Sequence, residues 1–292
     1  MDKNDNSHIS SQGFEYGVKH FYSTPAKSLV EFISEILKMN SADITHLLNL
    51  GAIYVDNYRQ TKDVPLKDHL LIRVHTKPRR FNCEYNWRER IIFENQDFII
   101  LNKPSGIPSH PSVDNCIDNS LHQLSLYRKT PLFITHRLDT LTEGLIVYAK
   151  NSLFVKEFNH QLQARTIDKK YVALVETQQT LPSRLIHYMQ PSPRAPKTVS
   201  QVFQEGWALC ELEILDQKQF SPTQRWIKIN LLTGRTHQIR SQLSELKAPV
   251  CGDQLYGATE PYKPGAIALR AFELEFNWED QRMKFNLEEE FN

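Results

Sequence analysis

No stretch of the 292-residue chain stays apolar for the roughly twenty residues that a membrane-spanning helix needs. The first residues, Met1-Asp2-Lys3-Asn4-Asp5-Asn6, carry acids and no apolar segment, so they read as neither a secretory signal nor a transit peptide. A disordered or extended arm over residues 1–25 and a cytoplasmic location are expected. Cysteine is scarce. Cys83, Cys116, Cys210 and Cys251 stand far apart without a CxxC pair, which supports neither a zinc ribbon nor a disulfide framework and fits free thiols in a reducing compartment. The eleven histidines contain no HExxH or comparable ligand spacing. Neither a metal nor any other cofactor is expected. An excess of one charge is also missing, with 35 basic and 34 acidic side chains. That balance argues against a general polyanion binder, but it hides a gradient. Residues 76–250 hold 23 Lys and Arg against 16 Asp and Glu, whereas residues 251–292 hold 4 against 9. The basic excess falls where a phosphate-bearing partner would be met.

What is present divides into a small unit and a large one. In residues 26–76, Leu29, Val30, Phe32, Ile33, Ile36 and Leu37 recur at helical spacing. A second, shorter helix is expected from Ser41 as N-cap, with Ile44, Leu47 and Leu48 inward and Gly51 as its stop. Ala52–Val55 and His69–Val74 then read as strands, and Lys77-Pro78-Arg79-Arg80 as a basic linker. From residue 77 to 292, strands and helices interleave without strict alternation, which favours an α+β sheet. The segment from Pro191 to Lys197 reads as an exposed loop.

Residues 136–150, His-Arg-Leu-Asp-Thr-Leu-Thr-Glu-Gly-Leu-Ile-Val-Tyr-Ala-Lys, carry the strongest signal. A charged, hydroxyl-bearing loop sits between the apolar runs Leu132-Phe133-Ile134 and Leu145-Ile146-Val147-Tyr148, which read as buried strands. Reactive side chains are displayed at such core edges, and Asp139, two residues after Arg137, is the candidate nucleophile or base. Four other stretches accompany it. Phe98–Leu101 reads as a strand leading into the shaped loop Asn102-Lys103-Pro104-Ser105-Gly106. A helix from Ser152, with Phe154, Val155, Phe158 and Leu162 on its stripe, leads into the strand Lys169–Val175, which holds Tyr171. The alternating strand Trp226–Leu232 is followed by Thr233-Gly234-Arg235-Thr236-His237-Gln238-Ile239-Arg240, where Thr236 is expected to cap a helix. Arg240 would then lie in the first turn, a position that disfavours a cation and calls for a neighbouring anion. Gly252-Asp253-Gln254-Leu255-Tyr256-Gly257 reads as a structural turn.

In their order, these stretches resemble the RluA-type family of RNA pseudouridine synthases over residues from about 90 to 275. The family's His-Arg-Leu-Asp run precedes Thr-Ser-Gly; here Glu143 stands in the serine's place and is expected to point outward or to pair with a lysine. The resemblance implies a pseudouridine-synthase-like, mixed but mainly antiparallel sheet with flanking helices over residues 77–292. Residues 26–76 resemble the S4-like α/β module that often precedes it, although Asp43, His46 and Asn49 occupy the helix face where phosphate contact would want lysine or arginine. The implied activity is isomerisation of specific uridines to pseudouridine in structured ribosomal or transfer RNA. The carry-over makes Asp139 the catalytic carboxylate, Arg240 its partner and Tyr171 the ring that stacks on the uracil. Arg137 would fill the space left by the flipped nucleotide. His136, Lys103, Arg235 and His237 are the remaining expected RNA or substrate contacts. Neither a membrane nor DNA is expected as a partner, and a monomer is favoured. Two rival readings are a non-catalytic RNA-binding or ribosome-assembly factor on the same fold, and a hydrolase pairing Asp139 with His136 or His237.

Overall fold

The computed structural model describes residues 7–9, in backbone only, and residues 17–289. It divides into two compact units, Met1–Cys83 with His110–Gln123, and Glu84–Ser109 with Leu124–Asn292.

The small unit is a sheet with two helices on one face. Its strands are β1 (Ser7–Ile9), β2 (Val18–Tyr22), β3 (Ile53–Val55), β4 (Tyr58–Gln60) and β5 (Leu71–His75), in the order β1-β2-β5-β3-β4. Within the arm expected over residues 1–25, β1 and β2 are strands, and residues 1–6 and 10–16 lie outside the described residues. Helix α1 (Leu29–Leu37) starts at Ser28, whose hydroxyl accepts from the Glu31 N–H. Helix α2 (Ser41–Asn49) is capped by Asn40 rather than Ser41, because the Asn40 amide oxygen reaches the Asp43 N–H at 2.7 Å. Gly51 ends it at φ 67°, the left-handed turn that a Cβ would disfavour. Leu29, Ile33, Ile44 and Leu48 pack onto Phe21, Ile53, Ile72 and Val74 of the sheet, and full burial of each stabilises the fold by about 2 kcal/mol. The basic stretch expected as a linker is folded in. Arg79 makes a two-pronged contact with Asp114 and Arg80 bonds Asp118 at 2.6 Å, tying residues 110–123 into this unit. The strand expected from His69 starts at Leu71, since His69 sits at φ 58°.

The large unit contains α3 (Trp87–Arg90), β6 (Ile91–Glu94), β7 (Phe98–Lys103), most of α4 (Ser120–Arg128), β8 (Phe133–Ile134), β9 (Glu143–Ala149), α5 (Ser152–Ala164), β10 (Asp168–Glu176), β11 (Arg184–Met189), β12 (Val199–Ser200), β13 (Ala208–Gln219), β14 (Gln224–Leu231), α6 (Gln238–Glu245), β15 (Leu269–Trp278) and β16 (Gln281–Asn286). Eleven strands among the described residues form one sheet, β12-β11-β13-β14-β10-β15-β9-β7-β6, with β16 on β15 and β8 on β9. The pairing is antiparallel throughout except where β9 meets β15 in parallel, Glu143 opposite Arg270 and Gly144 opposite Ala271. This is the mixed, mainly antiparallel α+β sheet expected. A Cβ on Gly144 would stand 2.2 Å from the Ala271 carbonyl oxygen, so only glycine permits the approach. Helix α5 buries Phe154 and Phe158 against Phe98, Leu145, Val147 and Phe276. Among the described residues, no helix is long and apolar enough to cross a membrane.

Candidate active site

Asp139 lies in the loop that enters β9, and the loop after β7 holds it from below. The Ser109 hydroxyl donates to the Leu138 carbonyl at 2.8 Å and accepts from the Leu138 N–H at 3.1 Å. The Gly106 N–H donates to the Thr140 carbonyl at 2.8 Å. Lys103 completes this cradle. Its ammonium donates to the carbonyls of Pro104 and Ile107, each at 2.8 Å, and of Thr140 at 3.3 Å. The residue is wholly inaccessible, and burial pushes its pKa down to about 7 against the opposing pull of Asp139 and Glu143. The expectation of an RNA-contacting Lys103 is thereby corrected: the ammonium is sealed beneath the loop that carries Asp139 and shapes it.

His136 is bonded to the neighbouring strand and is partly exposed. Its Nε2 accepts from the Val147 N–H at 3.2 Å while the Thr135 hydroxyl donates to the Val147 carbonyl, so together they extend the pairing of β8 along β9. The ring stacks on Phe158 at 5.7 Å. Burial, aided by the charge of Lys169, lowers its pKa to about 3, which keeps the imidazole neutral. Arg137, by contrast, is exposed and donates to the Thr236 hydroxyl at 3.1 Å.

Facing Asp139 is the start of α6. The helix begins at Gln238, one residue later than a cap at Thr236 implies, and His237 occupies the cap position at φ 57° with no side-chain cap bond. The preceding turn is held instead by Gln238, whose amide oxygen accepts from the Thr233 hydroxyl at 2.8 Å and the Arg235 N–H at 3.0 Å. Arg240 still falls in the first turn and is 3% exposed, so its charge must be answered by the protein. Its Nη1 donates to Asp139 Oδ2 at 3.2 Å. Its Nε and Nη2 donate to the two oxygens of Asp253 at 2.6 and 2.9 Å. Burial alone would lower the Arg240 pKa, but the Asp253 bonds and both carboxylates hold it above the ordinary guanidinium value. The turn containing Asp253 thus supplies the stronger partner of Arg240, a role that its glycine-rich spacing conceals.

Tyr256 of that turn lies under the Arg240 guanidinium, 5.0 Å from ring centre to carbon. Its hydroxyl accepts from the Lys197 N–H at 2.8 Å and lies 3.0 Å from His237 Nδ1. His237 Nε2 lies on the Asp139 side, 3.8 Å from Oδ2. That is ion-pair reach, longer than a hydrogen bond. Tyr171 projects from β10, 6% exposed, and burial together with the Asp139 charge raises its phenol pKa well above the usual value. Arg235 is exposed at the rim. Glu143 pairs with Arg270 at 2.7 Å, its opposite number in the parallel register, rather than with a lysine. The geometry thus gathers Asp139, Arg240, His237, Tyr171 and Asp253, while Lys103 and His136 support the loop from within.

Residues 97–245 match the family model described as RNA pseudouridylate synthase. The chain is 35% identical over 211 residues to RNA pseudouridine synthase 6, chloroplastic, of Oryza sativa subsp. japonica, covering 63% of this chain and 44% of that protein. It is 34% identical over 222 residues to the protein of the same description from Arabidopsis thaliana, covering 68% and 45%. The chain therefore spans less than half the length of these two plant relatives. An uncharacterized RNA pseudouridine synthase of Mycoplasma genitalium is 29% identical over 252 residues, covering 81% of this chain and 80% of the relative. Among solved structures, human RNA pseudouridylate synthase domain containing 1 shares the fold, with a TM-score of 0.55 at 24% identity over 68% of this chain and 82% of that one.

Proposed function

The chain belongs to the RNA pseudouridylate synthase family, and from that premise we propose that it isomerises specific uridines of structured RNA, ribosomal or transfer, with Asp139 as the catalytic carboxylate. The observation that carries the reading is the Asp139–Arg240 contact at 3.2 Å, with Arg240 itself clamped by Asp253. A buried guanidinium fixed from behind by a second carboxylate directs one oxygen of Asp139 and leaves the other open to a sugar. A carboxylate so placed serves either as nucleophile at C1′ or as base at C2′. In both cases the N-glycosidic bond breaks, uracil turns within the site, and a bond from C1′ to C5 replaces it, with the C5 proton released. Atoms balance without an external reactant.

Tyr171 offers its ring to the detached uracil, and a phenol held protonated by burial is suited to stacking and to handing on a proton. Arg137, exposed beside the site, is the residue to occupy the space of an extruded nucleotide. We read the small unit as an accessory S4-like module, the whole as a cytoplasmic monomer, and RNA as its partner. The test is release of tritium from C5-labelled uridine in bulk ribosomal and transfer RNA. Wild type should release it and Asp139→Asn should release none. Absence of release by wild type across both pools would overturn the reading in favour of an RNA-binding or assembly factor on this fold.

A further inference from the structure

The cations buried around Asp139 are answered by the protein, with one exception among the described residues. Arg240 has two carboxylates, Lys103 three carbonyls, and Arg270 has Glu143. Lys169, two residues before Tyr171 on β10, is partly buried, yet among the described residues no carboxylate or carbonyl takes its ammonium. Burial is the sole influence on it and holds its pKa below the ordinary lysine value. It lies between the two loops of the site. On one side its charge reaches His136 strongly enough to depress that imidazole. On the other, its Nζ is 3.0 Å from where a Cβ on Gly234 would stand. Gly234 has no left-handed backbone to accommodate, so what its missing side chain provides is room in front of the ammonium. Gly234, Arg235 and Thr236 are exposed, so that room opens outward.

A desolvated cation without a partner costs stability, and a fold gains nothing by keeping one. We propose that Lys169 holds a phosphate of the RNA strand beside the target uridine, fixing the backbone while Asp139 faces the sugar. An ammonium is a compact charge suited to a phosphate oxygen, and desolvation before the ligand arrives strengthens the contact that forms. The assignment rests on the isomerase reading for the identity of the strand. It gives the site a means of requiring a polynucleotide, since free uracil or uridine offers no such anion.

Three measurements on the full chain test it: steady-state tritium release, filter binding of RNA from a strain lacking the protein over a range of salt, and urea unfolding. Lys169→Met should raise KM and the RNA dissociation constant about tenfold, as expected for one lost charged contact. It should leave kcat within about twofold, because the contact is made equally before and during the reaction. The slope of log affinity against log salt should fall by about 0.7, the value for one phosphate on a single strand. The variant should unfold at higher urea than wild type, and Lys169→Arg should recover most of the binding. Unchanged KM and RNA affinity with weakened folding would make Lys169 structural and overturn the proposal. So would a fall in kcat at constant KM, which would place the ammonium on the reacting base. If wild type releases no tritium, the isomerase reading fails, while filter binding still decides whether Lys169 meets a phosphate.

Discussion

The half of the large sheet that carries Asp139 and the half that carries Arg240 each bury a cation next to the same carboxylate, and they hold it differently. On the Asp139 side, Lys103 is wrapped by three carbonyl dipoles and bonds no carboxylate. On the other side, Arg240 is shared between two carboxylates, with the tighter contacts directed away from the site at Asp253. Carbonyls stabilise a charged ammonium only partly, so Lys103 can shed its proton near neutrality while continuing to prop the loop. Paired carboxylates do the opposite and fix a guanidinium that never deprotonates. One cation shapes the loop that carries Asp139. The other is part of what the loop presents.

That contrast can be broken most severely at Arg240. Arg240→Ala should fall roughly 10²–10³-fold in single-turnover tritium release, the usual loss for a preorganised electrostatic group. It should also cost about 3–5 kcal/mol in urea unfolding, because Asp253 is left buried and unpaired. Arg240→Lys should restore little, since one ammonium cannot serve both carboxylates as a fork does. Asp253→Asn removes the rear clamp without touching Asp139. It should slow turnover by roughly 10- to 10²-fold through misplacement of Arg240, with RNA affinity unchanged by filter binding.

Lys103→Met sharpens the other side. The folded-state pKa of Lys103 lies below its unfolded value near 10.4, so the unfolded chain binds more protons at every pH between about 7 and 10.4. Stability contributed by this group therefore rises with pH across that window, by up to about 1.4 kcal/mol per pH unit. Urea unfolding at pH 7.5 and 8.5 should show wild type gaining on Lys103→Met as pH increases; parallel behaviour would show that Lys103 stays charged. The smallest effect belongs to Glu143→Ser. Glu143 faces Arg270 in a partly exposed pair, so the loss should be below about 1 kcal/mol and turnover should stay within about threefold.

Much of the large unit was legible because its strands and α5 advertise themselves by period. The strands from Phe98, Leu145, Lys169 and Trp226 and the helix from Ser152 lie where alternation and apolar striping put them. The nearness of Asp139 and Arg240, 101 residues apart, came from family resemblance and from the oddity of a cation at a helix start. What escaped has a common cause. Asp253, Tyr256 and Gln238 act through contacts that close only in three dimensions, and their local sequence looks like turn chemistry. Lys103 and His136 were legible as polar residues in a reactive neighbourhood, but whether a polar group faces out or supports from within depends on what packs over it. Residues 110–123 join the small unit through Asp114 and Asp118, whose partners lie more than thirty residues upstream.

The place of β15 in the sheet also sets an order of events as the chain is made. Strands β6 to β9 pair among themselves, as do β10 to β14, but these two groups meet only through β15, which begins at Leu269. A ribosome delivering the protein from its first residue therefore releases both groups well before the strand that joins them. Asp139 belongs to the first group and Arg240 follows the second, so they remain strangers until β15 has emerged and slid between β9 and β10. A stalled chain ending before Leu269 should carry every residue of the site and still be unable to turn over, because what it lacks is the seam.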